Sequence, residues 1–225
     1  MTRPALILTG VETEARALAK ALGLPRLGLP FAAYGHERAR VAAIGPGAGR
    51  LEERLPRLAE GLSSPLLVSA GLCGGLAPSI SRRQLVVPEA VLQGNERHPV
   101  VERLPGREAR GDLLTVGAIV ATPEEKARLY LETGAIAVDM ESAPILAAAR
   151  RRGWGAVVVR AVSDDAQEAL PAGLLDAVDA GGRVRVGRAL VALFGAGMLW
   201  RALALRRDTA AGLAAVAEAL RPLVG

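Results

Sequence analysis

Acidic side chains follow several short apolar runs of the sequence, close to the point where each run ends. Glu14, Glu141 and Asp164 stand out, with Glu12 as a competitor for the place of Glu14. Separated carboxyl groups suit general acid–base catalysis, because different surroundings let one group hold a proton while another stays ionised. An acid near the start of a helix also complements the helix dipole without any chemistry. Catalysis and a structural role are therefore both open for each acid.

Two glycine-rich segments accompany these acids. The first, GPGAG at residues 45–49, precedes Arg50, and the second, GLCGG, occupies residues 71–75. Backbone N–H groups at a helix N-terminus favour an anion, so Gly47 and Arg50 are candidates for binding phosphate. A tight turn followed by a solvated arginine explains the same residues equally well.

Composition excludes several other kinds of site. Cys73 is the single cysteine, and His36 and His98 are the only histidines in 225 residues. An intramolecular disulfide and a multi-thiolate metal site are therefore excluded, and a histidine-rich metal centre nearly so. We expect no metal and no organic cofactor.

The formal net charge of +5 comes almost entirely from arginine, since lysine occurs only at Lys20 and Lys126. The basic residues are scattered and lack interleaved aromatic residues, so we do not expect specific nucleic-acid binding. The first apolar run is too short for a secretory signal, because Glu12 and Glu14 follow it closely. A cytoplasmic location is the resulting prediction.

The acids and glycines fall between elements of alternating type. Apolar runs bounded by glycine or proline alternate with helical patterns, which is typical of β-α-β units. We therefore predict an α/β fold with a mostly parallel central sheet flanked by helices, as a single domain over residues 1–225 with a helical, apolar tail at 186–225. Ligands of open α/β sheets bind at the carboxyl ends of the strands, where the acids would meet. The predicted strands cover residues 5–10, 41–44, 65–70, 84–91, 113–121, 135–138 and 155–162.

Three motifs carry a resemblance to a known family. They are SAGLCGGL at residues 69–76, VDMESA at 138–143 and RAVSDDA at 160–166, in this order after Glu14. Together they resemble the purine and uridine phosphorylase superfamily, which includes the methylthioadenosine/S-adenosylhomocysteine nucleosidases. The resemblance implies a nucleoside phosphorylase-like fold and cleavage of the N-glycosidic bond of a nucleoside. We also expect a homo-oligomer.

The resemblance implies a role for each acid. Asp164 would protonate the leaving purine near N7, and Glu141 would accept hydrogen bonds from the ribose hydroxyls and stabilise positive charge on the sugar. Met140 would pack on the ribose face, and Glu14 would orient or deprotonate an attacking water. Further substrate contacts are expected from Ser163, Gly71, Leu72 and Cys73, the last as a small buried residue.

Hydrolysis and phosphorolysis both stay open at this point. Phosphorylases of the superfamily hold phosphate with an arginine that opens the second glycine-rich segment and a serine three residues later. Ser69 and Leu72 occupy these places here, so a cation is missing. Arg50 is a possible replacement.

The C-terminal part resembles the hopanoid-associated branch, whose members remove adenine from adenosylhopane. This resemblance rests on Val178-Asp179, Gly182-Arg183 and the apolar tail. Adenosylhopane is therefore the predicted substrate, and a methylthioadenosine or S-adenosylhomocysteine nucleosidase is the alternative. A non-catalytic protein of the same fold, associated with a membrane or RNA, is a third hypothesis, which the presence of both Glu141 and Asp164 disfavours.

Residues 189–200 carry no charge and lie between Arg188 and Arg201. This segment is shorter than the roughly 20 apolar residues that span a bilayer. It fits a core or subunit-interface helix, or a helix that lies on a membrane surface. The second interpretation predicts peripheral membrane contact through residues 186–205 and a location at the inner membrane surface.

Overall fold

The computed structural model of the protein describes residues 3–170 and 199–225. Within these residues ten strands form one sheet, in the order β2-β3-β1-β4-β9-β8-β6-β7, with β10 beside β4 and β5 beside β10. The strands are β1 (Ala5–Thr9), β2 (Ala33–Gly35), β3 (Ala39–Ala43), β4 (Leu66–Gly75), β5 (Leu85–Val86), β6 (Ala90–Gln93), β7 (Glu96–Pro99), β8 (Asp112–Thr115), β9 (Ala137–Asp139) and β10 (Ala156–Asp164). The helices are α1 (Glu12–Ala21), α2 (Leu51–Ala59), α3 (Pro123–Thr133), α4 (Ser142–Arg151) and α5 (Leu199–Val224).

The centre of the sheet is parallel and buried on both faces. Strand β4 pairs in parallel with β1 on one side and with β10 on the other. Parallel strands covered on both faces read as continuous apolar runs, which is why the sequence pattern predicts these three strands. Antiparallel pairs occur between β2 and β3, β6 and β7, β4 and β9, and β10 and β5. The predicted α/β domain with a mostly parallel sheet is confirmed.

Alternate residues of each central strand face two separate cores. In β1, Leu6 and Leu8 pack into a core with residues of α2 and α4, such as Leu55 and Ile145. The intervening residues of β1 pack into the second core with α1 and with Val216 and Leu220 of α5. A strand has a side-chain period of two, so one apolar strand supplies both layers.

Helix α3 begins at a strong local signal. The side chain of Thr122 accepts a hydrogen bond from the backbone N–H of Glu125 at 3.2 Å, and Pro123 occupies the first turn. The carboxylate of Glu125 accepts in return from the N–H of Ala121. Gly134 ends the helix in the left-handed conformation with φ of 70°. Thr122, Pro123 and Glu125 form a capping pattern that can be read from the sequence alone, and glycine is the common residue at a helix end.

Two predicted strands are shorter than expected. The prediction of one strand over residues 84–91 is wrong, because Pro88 has no N–H to donate and separates β5 from β6. The strand predicted over residues 113–121 ends at Thr115 as β8, and the following apolar residues leave the sheet.

The tail is described only in part. Residues 171–198, which include most of the charge-free segment at 189–200 and the residues of the hopanoid resemblance, lie outside the described part of the chain. From Leu199 the chain is helical to Val224, as predicted. No helix in the described ranges combines the length and the hydrophobicity needed to cross a membrane.

Packing of α5 against the sheet is open to a direct test. Leu220 is fully buried, whereas Leu131 of α3 is 83% exposed. We expect Leu220→Ala to lower the free energy of unfolding by about 2–5 kcal/mol, because it leaves a cavity in the second core. Leu131→Ala, the matched control, should change it by less than about 0.5 kcal/mol. Urea denaturation measures both, and equal small losses would mean that α5 does not belong to the core.

Candidate active site

A cavity of about 460 Å³ opens at the carboxyl ends of β1, β4, β8, β9 and β10. This is the edge at which ligands of open α/β sheets bind. Seven residues predicted from the sequence lie in its wall, namely Glu14, Leu72, Cys73, Met140, Glu141, Ser163 and Asp164. The wall also contains apolar residues that sequence reasoning missed: Val11, Val116, Ala118, Ile119, Val120, Val138 and Leu170.

Arg160 lies behind this cavity and is the central cation of the site. Its side chain is 1% exposed, and its Nη2 lies 2.7 Å from Oδ2 of Asp139 and 3.5 Å from Oε2 of Glu141. The same nitrogen donates to Oγ of Ser69 at 2.8 Å. Burial opposes the charge, but Asp139, Glu141 and Glu14 outweigh it and raise the pKa of Arg160. A charged residue inside an otherwise apolar strand was the signal for this position.

Asp139 holds Arg160 in place. Its Oδ1 accepts from the hydroxyl of Thr115 at 2.6 Å, and its Oδ2 accepts from the N–H and the hydroxyl of Ser142 at 3.0 and 2.5 Å. Both carboxylate oxygens of Asp139 therefore accept hydrogen bonds from neutral groups in addition to the ion pair with Arg160. The sequence indicates no role for Asp139 within the VDMESA motif, whereas in the structure its carboxylate holds the guanidinium of Arg160 in position.

Glu14, rather than Glu12, turns into the cavity from the first turn of α1. Its Oε1 accepts from the N–H of Leu72 at 2.9 Å, and its Oε2 accepts from the N–H of Val11 at 3.3 Å. Burial raises the pKa of Glu14, while the charge of Arg160 and the backbone hydrogen bonds lower it in part. Gly71 makes this approach possible, since a Cβ there would lie 2.8 Å from Oε1 of Glu14. Gly71 thus acts through the space it leaves.

Glu141 reaches the first glycine-rich segment. Its Oε1 accepts from the N–H of Gly47 at 3.2 Å. Burial raises the pKa of Glu141 to about 7, against the lowering effect of Arg160. The structure does not bring Arg50 to the cavity, because its half-exposed guanidinium pairs with Glu53 at 2.8 Å. The two residues predicted to bind phosphate are therefore otherwise engaged: Gly47 with Glu141, and Arg50 with Glu53.

Asp164 is held on both carboxylate oxygens. Oδ1 lies 2.5 Å from the hydroxyl of Ser163, and Oδ2 lies 2.6 Å from Nζ of Lys126. Both Asp164 and Lys126 are buried. Sequence reasoning missed Lys126, which lies in the first turn of the capped helix α3.

Apart from the acids described above, the residues in the wall of the cavity carry no charge. Burial raises the pKa of the Cys73 thiol, so it stays protonated and is a poor nucleophile. None of the described residues in the wall is aromatic. The ring of Phe31 lies outside the wall, where the guanidinium carbon of Arg54 is 4.9 Å from the ring centre. Aliphatic side chains such as Val116 and Ile119 supply the apolar surface in its place.

The charge balance of the site decides which chemistry it can perform. Four carboxyl groups lie in the wall, those of Glu14, Asp139, Glu141 and Asp164. The cations that meet them, Arg160 and Lys126, are already engaged by carboxylates. Such a cavity disfavours an additional anion and favours positive charge that develops in a bound molecule.

The raised pKa of Glu141 makes stability depend on pH. Its ordinary value of 4.5 rises to about 7 on folding, so the folded protein binds a proton that the unfolded chain releases. The stabilisation is complete below about pH 4.5 and is lost as pH rises through about 7. We expect the free energy of unfolding to fall over this interval in the wild type and to fall less in Glu141→Gln. Urea denaturation at several pH values measures the slope, and identical slopes would contradict the assignment.

The comparisons with known proteins agree with this geometry. The chain is similar in fold to the 5′-methylthioadenosine/S-adenosylhomocysteine nucleosidase of Helicobacter pylori, with a TM-score of 0.68, 17% identity, and coverage of 100% of this chain and 98% of that chain. Futalosine hydrolase of the same organism aligns with a TM-score of 0.64, 17% identity, and coverage of 100% and 98%. S-adenosylhomocysteine nucleosidase of Streptococcus pyogenes aligns with a TM-score of 0.57, 17% identity, and coverage of 74% and 85%.

At these identities the solved structures show the fold alone. No curated protein sequence matches the chain. The family model of the Phosphorylase superfamily, however, matches residues 4–194, which is most of the chain. The protein therefore belongs to the Phosphorylase superfamily and is an enzyme that cleaves glycosidic bonds.

Proposed function

We propose that this enzyme releases adenine from an adenine nucleoside by hydrolysis and that its substrate is adenosylhopane. The observation that carries hydrolysis is the charge balance of the cavity, where the carboxyl groups outnumber two cations that are already paired. A neutral water fits this environment better than a phosphate anion does.

Asp164 is the proposed general acid. The hydroxyl of Ser163 lies 3.1 Å from the carbonyl oxygen of Cys73 and 2.5 Å from Oδ1 of Asp164. The Ser163 hydroxyl thereby orients Oδ1 of Asp164, which takes up a proton from solvent before the reaction. In the reaction this proton moves to N7 of the purine while the electrons of the C1′–N9 bond pass to the leaving base.

Glu141 and Glu14 act on the sugar side in this proposal. Loss of the purine leaves an oxocarbenium-like sugar, and the carboxylate of Glu141 stabilises its positive charge and accepts hydrogen bonds from the ribose hydroxyls. Met140, beside Glu141 in the same wall, packs against the sugar. Glu14 takes a proton from the water that attacks C1′, since its raised pKa makes it a better base than an exposed glutamate.

Three observations support hydrolysis over phosphorolysis. The N–H of Gly47, a donor that phosphate would use, already binds the carboxylate of Glu141. The guanidinium of Arg50 pairs with Glu53 instead of facing the cavity. Ser69 stands in the place of a phosphate-binding arginine, and its hydroxyl is hydrogen-bonded to Ser142 and Arg160 in the buried cluster.

The choice of adenosylhopane rests on the resemblance of the C-terminal part to the hopanoid-associated branch. Val178-Asp179 and Gly182-Arg183, on which that resemblance partly rests, lie in 171–198, outside the described part. The same holds for most of the segment 186–205 that is proposed to contact a membrane. A methylthioadenosine or S-adenosylhomocysteine nucleosidase is the second candidate. It is favoured by the nucleosidase of Helicobacter pylori, which covers the whole chain and is bound to butyl-thio-DADMe-Immucillin-A.

Replacement of the proposed general acid tests the mechanism. Asp164→Asn should lower the rate of adenine release by at least about 10²-fold, because a typical general acid contributes at least that much. Asp165→Asn is the matched control, since the side chain of Asp165 binds the N–H of Gln167 and does not line the cavity. Steady-state assays of adenine release measure both variants. Near wild-type turnover by folded Asp164→Asn would remove this residue from the mechanism.

The identity of the nucleophile and of the substrate is tested in one panel. Purified protein is given adenosylhopane in liposomes or methylthioadenosine, each with and without phosphate. We expect adenine release from adenosylhopane at the same rate in both buffers, with a free sugar hydroxyl that takes its oxygen from ¹⁸O-labelled water. A sugar 1-phosphate as product would establish phosphorolysis, and cleavage of methylthioadenosine alone would favour the second candidate.

A further inference from the structure

Lys126 is a buried charge that the proposed chemistry does not yet use. Its side chain is 0% exposed, and its ammonium group has three N–H donors with three acceptors. These acceptors are Oδ2 of Asp164 at 2.6 Å, the carbonyl oxygen of Asp165 at 2.7 Å and that of Glu168 at 2.9 Å. Every donor of the ammonium group is therefore satisfied by the end of β10 and the segment that follows it.

The position of Lys126 is fixed from several directions. Helix α3, which carries it, starts at the Thr122 cap. Glu168, whose carbonyl oxygen it binds, is itself held through its carboxylate by Arg82. The N–H of Leu170 then donates to the carbonyl oxygen of Ala121 at 2.9 Å, which returns the chain to the start of α3. The ammonium group therefore cannot leave Asp164 without breaking several other contacts.

A purely structural role does not explain the charge. The two carbonyl oxygens need only hydrogen-bond donors, which a neutral side chain supplies. Burying an ammonium group is strongly unfavourable unless an opposite charge compensates it. The group that compensates it here is the carboxylate of Asp164.

The other charged groups around Asp164 do not replace Lys126. The titratable groups that share the cavity wall are all acids or a neutral thiol: Glu14, Asp139, Glu141 and Cys73. Arg160, on the same strand as Asp164, pairs with Asp139 and Glu141. Within the described ranges Lys126 is thus the one cation within hydrogen-bond distance of Asp164.

We propose that Lys126 is a positioning residue for protonation of the leaving purine. This inference rests on the proposed function. When the O–H bond of Asp164 breaks and the N7–H bond of the purine forms, Asp164 becomes a carboxylate, and the ammonium group of Lys126 is already in place to stabilise it. A charge that is oriented before the reaction needs no reorganisation during it.

A double-mutant cycle tests this coupling. Lys126→Met should lower kcat for adenine release at least about tenfold and change KM by less than about threefold, because the affected group acts in bond breaking. In the Asp164→Asn background the same substitution should change kcat by less than about twofold. Lys20→Met, at the other and exposed lysine, is the control. Equal losses in both backgrounds, or no loss in the wild-type background, would overturn the proposal.

Lysine NMR gives a second test that needs no variant of Lys126. With lysine labelled at ¹³Cε, the protein has two lysine side-chain signals, which Lys20→Met assigns. Adenine, the proposed product, should shift the Lys126 signal through Asp164 and leave the Lys20 signal unchanged. An unchanged Lys126 signal at saturating adenine would overturn the proposal even if Lys126→Met does not fold.

The two proposals fail in different ways. If the wild-type protein releases adenine and the cycle shows no coupling, only the role of Lys126 is wrong. If the wild type releases no adenine from any nucleoside and adenine shifts neither signal, the proposed function is wrong, and the inference about Lys126 falls with it.

Discussion

The buried guanidinium of Arg160 is the interaction on which the acidic side of the cavity depends. A charge that is 1% exposed is tolerated only with paired opposite charge, and Asp139 and Glu141 lie within 3.5 Å of it. Those carboxyl groups come from the end of β9, whereas Arg160 lies in β10 and Glu14 in α1. One cation therefore links the end of β9 to β10, and its charge also acts on Glu14 of α1. Without it, these buried carboxyl groups would repel one another.

The same pairing shapes the chemistry of the site. Because Arg160 and Lys126 are both engaged by carboxylates, neither is free to hold an incoming anion. Burial then raises the pKa values of Glu14 and Glu141, so these groups exchange protons nearer to neutral pH than exposed glutamates do. Proton transfer and stabilisation of a cationic sugar are what such a set of groups does best. An incoming phosphate is disfavoured because these two cations are already paired with acids of the wall.

Glycine determines how closely these groups approach. Gly71 has a φ of 142°, and a Cβ there would lie 2.8 Å from Oε1 of Glu14 and 3.0 Å from Nη1 of Arg160. Gly74 leaves similar room beside Asp164, whose Oδ2 would be 3.3 Å from a Cβ at that position. The glycine-rich end of β4 thus leaves room for Glu14 of α1 and for Asp164 of β10. Its role in this site is to leave space for these side chains.

The sequence by itself determined the α/β class, the central strands, the cap of α3 and the presence of acids at strand ends, because apolar runs, caps and turns are local patterns. It did not determine which groups meet. Lys126 and Asp164 are 38 residues apart in the sequence, and Gly47 and Glu141 are 94 apart. A local sequence pattern does not indicate contacts between residues at such separations. Only the tertiary structure decided these pairs, since they depend on β4 lying between β1 and β10 and on where Pro88 and Thr115 end their strands. Charge pairing is set by neighbours in space, and spatial neighbours are a property of the whole sheet.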